Sequence, residues 1–397
     1  MRKICIICPW GFPIPAVKGG AVETLMQFLI EENESEPHFQ FTLLTTYDET
    51  AERLAKQYKY TEYVGFKGNP YLDKPWDFCF RAVKKVFHTY LPCTPRMFRV
   101  IDYVKGNRHQ FDYILLECGS SYMLPCLAKV FPKERILAHL HWTGDGNKKL
   151  DDNAGHVLAA SDFIAKEWQR RTSCSDDKLY VLPNCCNDEA FSKDLNDKEI
   201  RDLKDKLGIK DEKVIIFVGR IIEGKGILDL IKALQNVSVK DVVLLVIGRA
   251  NFGQGTITEF EKEIDTQIKK SKVKIIHSGF VKNEELYQYY SISDLFVNPT
   301  KLEEAAGMVN VEAMMTGTPI ITTNKGGIKE YVADAGILLE VDDCFVNNLT
   351  AEIDRLLSNE DLLEQYGAKA KLQGERFTGK KYYRQFVEIM DEIDRTQ

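Results

Sequence analysis

From its third residue onward the chain repeats one pattern: a short apolar run followed by an amphipathic stretch at helical spacing. Residues 3–8, 39–45, 111–117, 135–142, 212–218, 242–247 and 294–297 are such runs. Strands buried on both faces of a parallel sheet read as continuous apolar runs, and the amphipathic stretches between them supply the crossover helices. The pattern therefore predicts an α/β protein built from βα units. At 397 residues the chain is long for one core, and two domains of about 200 residues each are expected.

No apolar run approaches the ~20 residues that span a bilayer. Residues 3–8 are too short, ahead of Pro9 and Pro13, for a signal-peptide core, and read as the first buried strand. Cys5 and Cys8 lie on that strand with no second close Cys/His pair to match them, so a zinc site is not indicated; the ten cysteines read as thiols of a reducing cytosol. Residues 1–180 hold 24 basic and 22 acidic side chains and the remainder 29 and 37. The slightly basic half argues weakly for an anionic partner there. Overall acidity, with no concentrated basic stripe, argues against nucleic acid.

One stretch concentrates candidate chemistry. A buried strand runs out at Pro299, and a polar loop with Glu304 and Gly307 follows. A short helix begins at about Met308; Gly317 and Pro319 end it before a strand at 320–323. Glu304 falls on the loop and Glu312 inside the helix. Ligands of open α/β sheets sit beyond the carboxyl ends of the strands, where the next helix offers free N–H groups to an anion. The two carboxylates there could hold a polyol carrying a phosphate. Taken alone, the pair reads equally as a solvated loop charge and an exposed helix charge.

Other candidates are distributed along the chain. The apolar strand ending at Val218 runs into Gly219-Arg220, and Lys225 follows ahead of a helix. Arginine can bind two diphosphate oxygens at once and lysine acts as a point charge. Because uncompensated buried cations are costly, an anion is their expected partner. Gly19-Gly20 opens a helix after the first strand, which lets backbone approach a phosphate or a sugar, though a tight turn needs nothing more. His139 and His141 share a face if both lie on a strand. No carboxylate or cysteine at a suitable offset completes a metal site with them, and a core histidine is the plain alternative. Gly253-Gln254-Gly255 does not make a dinucleotide fingerprint. Within the insertion 58–104, Phe80, Val83, Phe87 and Tyr90 recur at helical spacing beside Arg81, Lys84 and Lys85. Such a helix can rest on an anionic membrane surface or line an acceptor site; ordinary core packing with solvated lysines is an equal reading.

Glu304-Ala305-Ala306-Gly307-Met308-Val309-Asn310-Val311-Glu312, followed by Gly317-Thr318-Pro319, resembles the E-x7-E signature of retaining glycosyltransferases of family 4. Gly219-Arg220 with Lys225-Gly226, and Gly326-Gly327 with Glu330, resemble further elements of that family. The turn at Pro183-Asn184 is similar too, but carries Cys185 and Asn187 where the family has glycine and an acid. The resemblance implies a GT-B architecture: two Rossmann-like doubly wound domains facing across a cleft. Residues 1–185 would form the acceptor-side domain and 186–397 the nucleotide-sugar domain, with the last helix, from about 380, returning to the first. It implies transfer of a sugar, with retention, from a nucleotide diphosphate sugar to an acceptor hydroxyl without a metal. The expected donor is a UDP-linked hexose or N-acetylhexosamine. A saccharide or lipid-linked saccharide of bacterial surface polysaccharide or glycoconjugate synthesis would accept it, at a cytoplasmic location or at the inner face of the membrane.

In that scheme Arg220 and Lys225 stabilise the leaving diphosphate, helped by N–H groups around Gly307, Met308 and Val309. Glu312 grips the ribose, Glu304 lies near the donor sugar, and the backbone at Gly279, Phe280 and Val281 touches the base. His141, with His139 as second choice, approaches the sugar, and Gly20 marks the glycine loop. Ala306 replaces the family's usual aromatic residue, which implies a reshaped pocket wall. A nucleotide-sugar epimerase of the same fold and a non-catalytic partner subunit are the rival readings.

Overall fold

In the computed structural model, residues 1–8, 11–69, 71, 73, 75–76, 78–79, 95–117, 121–144, 148–250 and 257–396 are described. They form two units, Met1–Cys185 with Gly379–Gln397, and Cys186–Thr378.

In the first unit, seven strands follow the apolar runs: β1 (Arg2–Cys8), β2 (Phe39–Thr46), β3 (Thr61–Phe66), β4 (Tyr113–Glu117), β5 (Ile136–Leu140), β6 (His156–Ala159) and β7 (Leu179–Val181). They pair in parallel in the order β3-β2-β1-β4-β5-β6-β7. The order reverses between β1 and β4, the position where such sheets open a crevice for ligands. Ser161 accepts the N–H of Ile164 and so caps the helix Asp162–Thr172 that follows β6. The terminal helix Gly379–Thr396 buries Tyr382, Tyr383, Phe386, Ile389, Met390 and Ile393, the stripe that a 3.6-residue period puts on one face. That stripe joins Ile4, Ile6, Phe39 and Phe41 in one core cluster. Burial of each such side chain is worth about 1.5–3 kcal/mol. Arg2 adds an ion pair to Asp391 at 2.5 Å and another to Asp394.

The second unit repeats the plan with β8 (Lys213–Val218), β9 (Val242–Ile247), β10 (Lys274–Gly279), β11 (Leu295–Asn298), β12 (Ile320–Thr323) and β13 (Ile337–Leu339). Their order is β10-β9-β8-β11-β12-β13, reversing between β8 and β11. Successive strand side chains point to opposite faces. Val214, Ile216 and Val218 accordingly enter one core cluster, and Ile215 and Phe217 the other. This explains why β8 is apolar at nearly every position.

Among the described residues no helix is long and apolar enough to cross a membrane. The basic aromatic stretch from Phe80 to Tyr90, the loop residues Asp145 and Gly146, and Gly253-Gln254-Gly255 lie outside the described residues.

Candidate functional site

At the reversal point of the second sheet, glycines let two loops meet. Gly226 has φ +73°, and a Cβ there would come within 2.0 Å of the Pro299 carbonyl oxygen. The turn Glu223–Lys225 is thereby held against the end of β11, and Lys301 donates its N–H to Gly224 O at 2.8 Å. The loop after β11 is tethered from its other side by the Gly326-Gly327 turn. Gly327 donates to Glu304 O at 2.8 Å, and Gly326 (φ +60°) packs so closely that a Cβ would lie 2.2 Å from that same oxygen.

These constraints place the Lys225 ammonium 2.7 Å from Glu304 Oε1, both side chains being more than four-fifths buried. The expectation that both cations wait uncompensated for an anion is corrected here: Lys225 already has a partner in Glu304. Arg220, two residues beyond β8, is exposed, and no described residue pairs with it.

The helix Met308–Met315 starts at Gly307 (φ +66°) without a side-chain cap, so its first-turn N–H groups at Met308 and Val309 have no intrahelical acceptor. Glu312, four residues into this helix, is buried. Its Oε1 accepts from Asn283 Nδ2 at 3.0 Å and its Oε2 from the Tyr290 hydroxyl at 3.2 Å. Burial pushes its carboxyl up to about 7, against the pull of those two hydrogen bonds. The alternative of an exposed helix charge is therefore overturned. Asn283 also ties the helix to the segment after β10, because it stands two residues past Val281. In that segment Gly279 turns at φ +71°, Phe280 is exposed and Val281 packs on the core. Asn283 and Tyr290 were not singled out in the sequence; a polar residue just past a strand end and a tyrosine in an apolar helix are too common to stand out.

Ala306 departs from its expected role. It is buried in the cluster with Val311, Met314 and Tyr331, so the missing aromatic ring is absent from the core beneath the helix rather than from a pocket wall.

In the first unit the glycine turn contains an acid. Gly20 (φ +103°) opens the helix Ala21–Ser35, and a Cβ there would come within 2.1 Å of Glu23 Oε2; one at Gly11 would meet Glu23 Oε1 at 2.7 Å. The Phe12 N–H donates to Glu23 Oε1 at 3.1 Å. The space these glycines leave is thus filled by a carboxylate, which disfavours a phosphate at this turn and corrects that half of the Gly20 expectation. Burial raises the Glu23 carboxyl; its own and Phe12's backbone N–H groups and the His141 imidazole oppose the rise.

His139 is the penultimate residue of β5 and His141 stands just past its end, yet the i, i+2 spacing still turns both rings to one side, with centroids 4.0 Å apart. Both rings reach one carboxylate, Glu117 at the end of β4: His139 Nδ1 at 2.9 Å from Oε1 and His141 Nε2 at 3.0 Å from Oε2. The sequence showed no acid at a suitable offset because this one arrives through strand pairing, in the register Glu117↔His139.

Residues 199–373 match the family model described as glycosyl transferases group 1. Lipopolysaccharide 1,2-N-acetylglucosaminetransferase of Salmonella typhimurium is 26% identical over 263 residues, 64% of this chain and 66% of that one. Spore coat protein SA of Bacillus subtilis is 23% identical over 387 residues, 94% of each chain. Among solved structures, Anabaena Alr3699/HepE in complex with UDP covers 98% of this chain and 100% of its own, at TM-score 0.73 and 18% identity. WaaG, a glycosyltransferase involved in lipopolysaccharide biosynthesis, covers 98% of this chain and 99% of its own at TM-score 0.64 and 15% identity. The structural likeness is one of fold, and that fold is the GT-B arrangement of two parallel α/β sheets.

Proposed function

We propose that this chain, whose residues 199–373 match the model for glycosyl transferases group 1, moves a sugar, with retention at the anomeric carbon, from a nucleotide diphosphate sugar to an acceptor hydroxyl. The observation that carries this reading is the Lys225–Glu304 pair at the reversal point between β8 and β11, with Arg220 unpaired at the end of β8. A cation and an acid held by close-packed backbone suit a ligand that is an anion at one end and a polyol at the other.

In the reaction the bond from the anomeric carbon to the diphosphate oxygen breaks and a bond to the acceptor oxygen forms. Charge builds on the departing diphosphate. Arg220 takes two of its oxygens, Lys225 shifts from Glu304 to a third, and the N–H groups of Met308 and Val309 face the same anion. Glu304, relieved of part of its ion pair, accepts a hydroxyl of the sugar. Glu312 accepts the ribose hydroxyls, and the backbone from Gly279 to Val281 meets the base. With the diphosphate charge met by side chains and backbone, the scheme assigns no metal.

Neighbouring folds solved with UDP and with UDP-glucose support a uridine diphosphate donor carrying a hexose or N-acetylhexosamine. The lipopolysaccharide enzyme among the relatives supports a saccharide or lipid-linked saccharide acceptor in bacterial surface polysaccharide or glycoconjugate synthesis. Such an acceptor fits a protein of the cytoplasm working at the inner membrane face.

A panel of nucleotide sugars, screened for thermal stabilisation and slow donor hydrolysis, tests the reading. One uridine diphosphate sugar should both stabilise the protein and release free sugar of unchanged anomeric configuration. Stabilisation by none of the panel sinks the assignment; an isomerised donor in place of hydrolysis favours an epimerase.

A further inference from the structure

Asn283 and Tyr290 stand seven residues apart, one opening the turn Asn283–Glu285 and the other inside the helix Leu286–Ser291 that continues it. Two helical turns bring such a pair to one face, and that face meets Glu312. Each donates to a different carboxylate oxygen, Asn283 Nδ2 to Oε1 at 3.0 Å and the Tyr290 hydroxyl to Oε2 at 3.2 Å. No charged side chain among the described residues pairs with Glu312, so its stabilisation falls to these two donors.

The tyrosine is fixed before any ligand arrives. It is fully buried, its ring meets Phe296 edge-on with centroids 5.5 Å apart, and its carbonyl accepts from Thr318 Oγ1 at 3.1 Å. Its hydroxyl has one proton and two acceptors in reach, Glu312 Oε2 and Val309 O, both at 3.2 Å. Val309 lies in the helix Met308–Met315, whose ladder already brings that carbonyl an N–H from four residues on. The phenol proton therefore serves the carboxylate, for which burial of a charge without donors would be costly.

Lone pairs then limit what else Glu312 can hold. An ionised carboxylate offers about four acceptor positions, two on each oxygen. The amide of Asn283 takes one on Oε1 and the phenol one on Oε2, which leaves one on each oxygen. A vicinal diol brings two O–H donors to such a pair; a single hydroxyl leaves one position unmet.

We propose that Asn283 and Tyr290 are positioning residues that hold Glu312 as an ionised, two-pronged acceptor for the vicinal diol of a nucleotide's ribose, and so make the site select ribose over deoxyribose. The ribose rests on the glycosyl-transfer reading; the hold on the carboxylate does not. Burial pushes the Glu312 carboxyl up to about 7, with Asn283 and then Tyr290 opposing the rise. Tyr290 stays protonated, because burial and then the facing Glu312 raise it, and Cys186 adds to them.

Calorimetric titration with uridine diphosphate and with deoxyuridine diphosphate across a range of pH tests the proposal. Both nucleotides carry the same diphosphate, so its own titration cancels in the ratio of their affinities. Above pH about 7 the wild type should prefer the ribonucleotide by about tenfold or more, and it should lose that preference as pH falls and Glu312 takes up a proton. Tyr290→Phe keeps the buried ring and Asn283→Ala alters an exposed turn, so both variants should fold. Each should shrink the preference by about threefold or more and move its midpoint to higher pH, because each removes a hydrogen bond that holds the carboxyl down. Equal weakening of both nucleotides, or lower stability with preference and midpoint unchanged, would mark the two side chains as structural and overturn the proposal. Carboxyl 13C shifts of Glu312 in the ligand-free protein separate the hold from the ribose. A midpoint that rises in both variants, with neither nucleotide bound, would remove the glycosyl-transfer reading and leave the hold standing. An unmoved midpoint would remove the hold, whatever the protein binds.

Discussion

At the reversal point of the second sheet a lysine meets a glutamate at 2.7 Å while an arginine stays unpaired. Beside the reversal point of the first, a glutamate is sealed under two imidazoles, and a second acid fills the glycine turn. The two sheets share a plan and place chemistry at equivalent strand ends, yet the electrostatics differ in kind. In the second unit cationic groups can be redirected to an incoming anion. In the first, Glu117 is already met by two imidazoles and Glu23 by a backbone N–H. One sheet end thus offers cations and the other paired acids, and topology alone would not have told them apart.

The largest expected effect breaks the comparison if it fails. Lys225→Ala should lower turnover by well over tenfold, ~2–4 kcal/mol of lost leaving-group stabilisation. Steady-state donor hydrolysis measures it, and an unchanged rate would remove the diphosphate from this strand end.

Next comes a contrast of sign between two buried acids. Glu312 titrates in the folded protein near 7, above its ordinary 4.5. The unfolded chain loses that proton first, so stability falls as pH rises from about 4.5 to 7. Glu117 titrates near 2, below 4.5, so its contribution is present above about 4.5 and is lost as pH falls towards 2. Each window spans up to about 3 kcal/mol. Urea midpoints against pH should lose the first slope in Glu312→Gln and the second in Glu117→Gln. Two slopes of the same sign would contradict the contrast.

The smallest effect concerns Ala306. As a core residue, Ala306→Phe should cost about 1–3 kcal/mol through overpacking, read as a lower urea midpoint with donor preference unchanged. A switched sugar preference at full stability would return this residue to the pocket wall.

Much of this was legible in the chain itself. The apolar runs mark strands because burial on both faces leaves no polar position, as β8 shows by dividing its residues between two core clusters. Glu304 on its loop and Glu312 in its helix were readable from the glycines and proline that bracket them. What escaped were relations set by strand pairing and loop contact. Glu117 and His139 are 22 residues apart, and only the parallel register makes them neighbours. Lys225 and Glu304 are 79 apart, joined because Gly226 admits the Pro299 carbonyl. Glu23 was passed over because the glycines around it looked like a feature in themselves.

The most direct test of the central claim is calorimetric binding of uridine diphosphate to the wild type and to a protein carrying Arg220→Ala and Lys225→Ala together. The account predicts a single site in the wild type and its loss in the double variant, with the fold retained by circular dichroism. Equal affinity in the two proteins would contradict it.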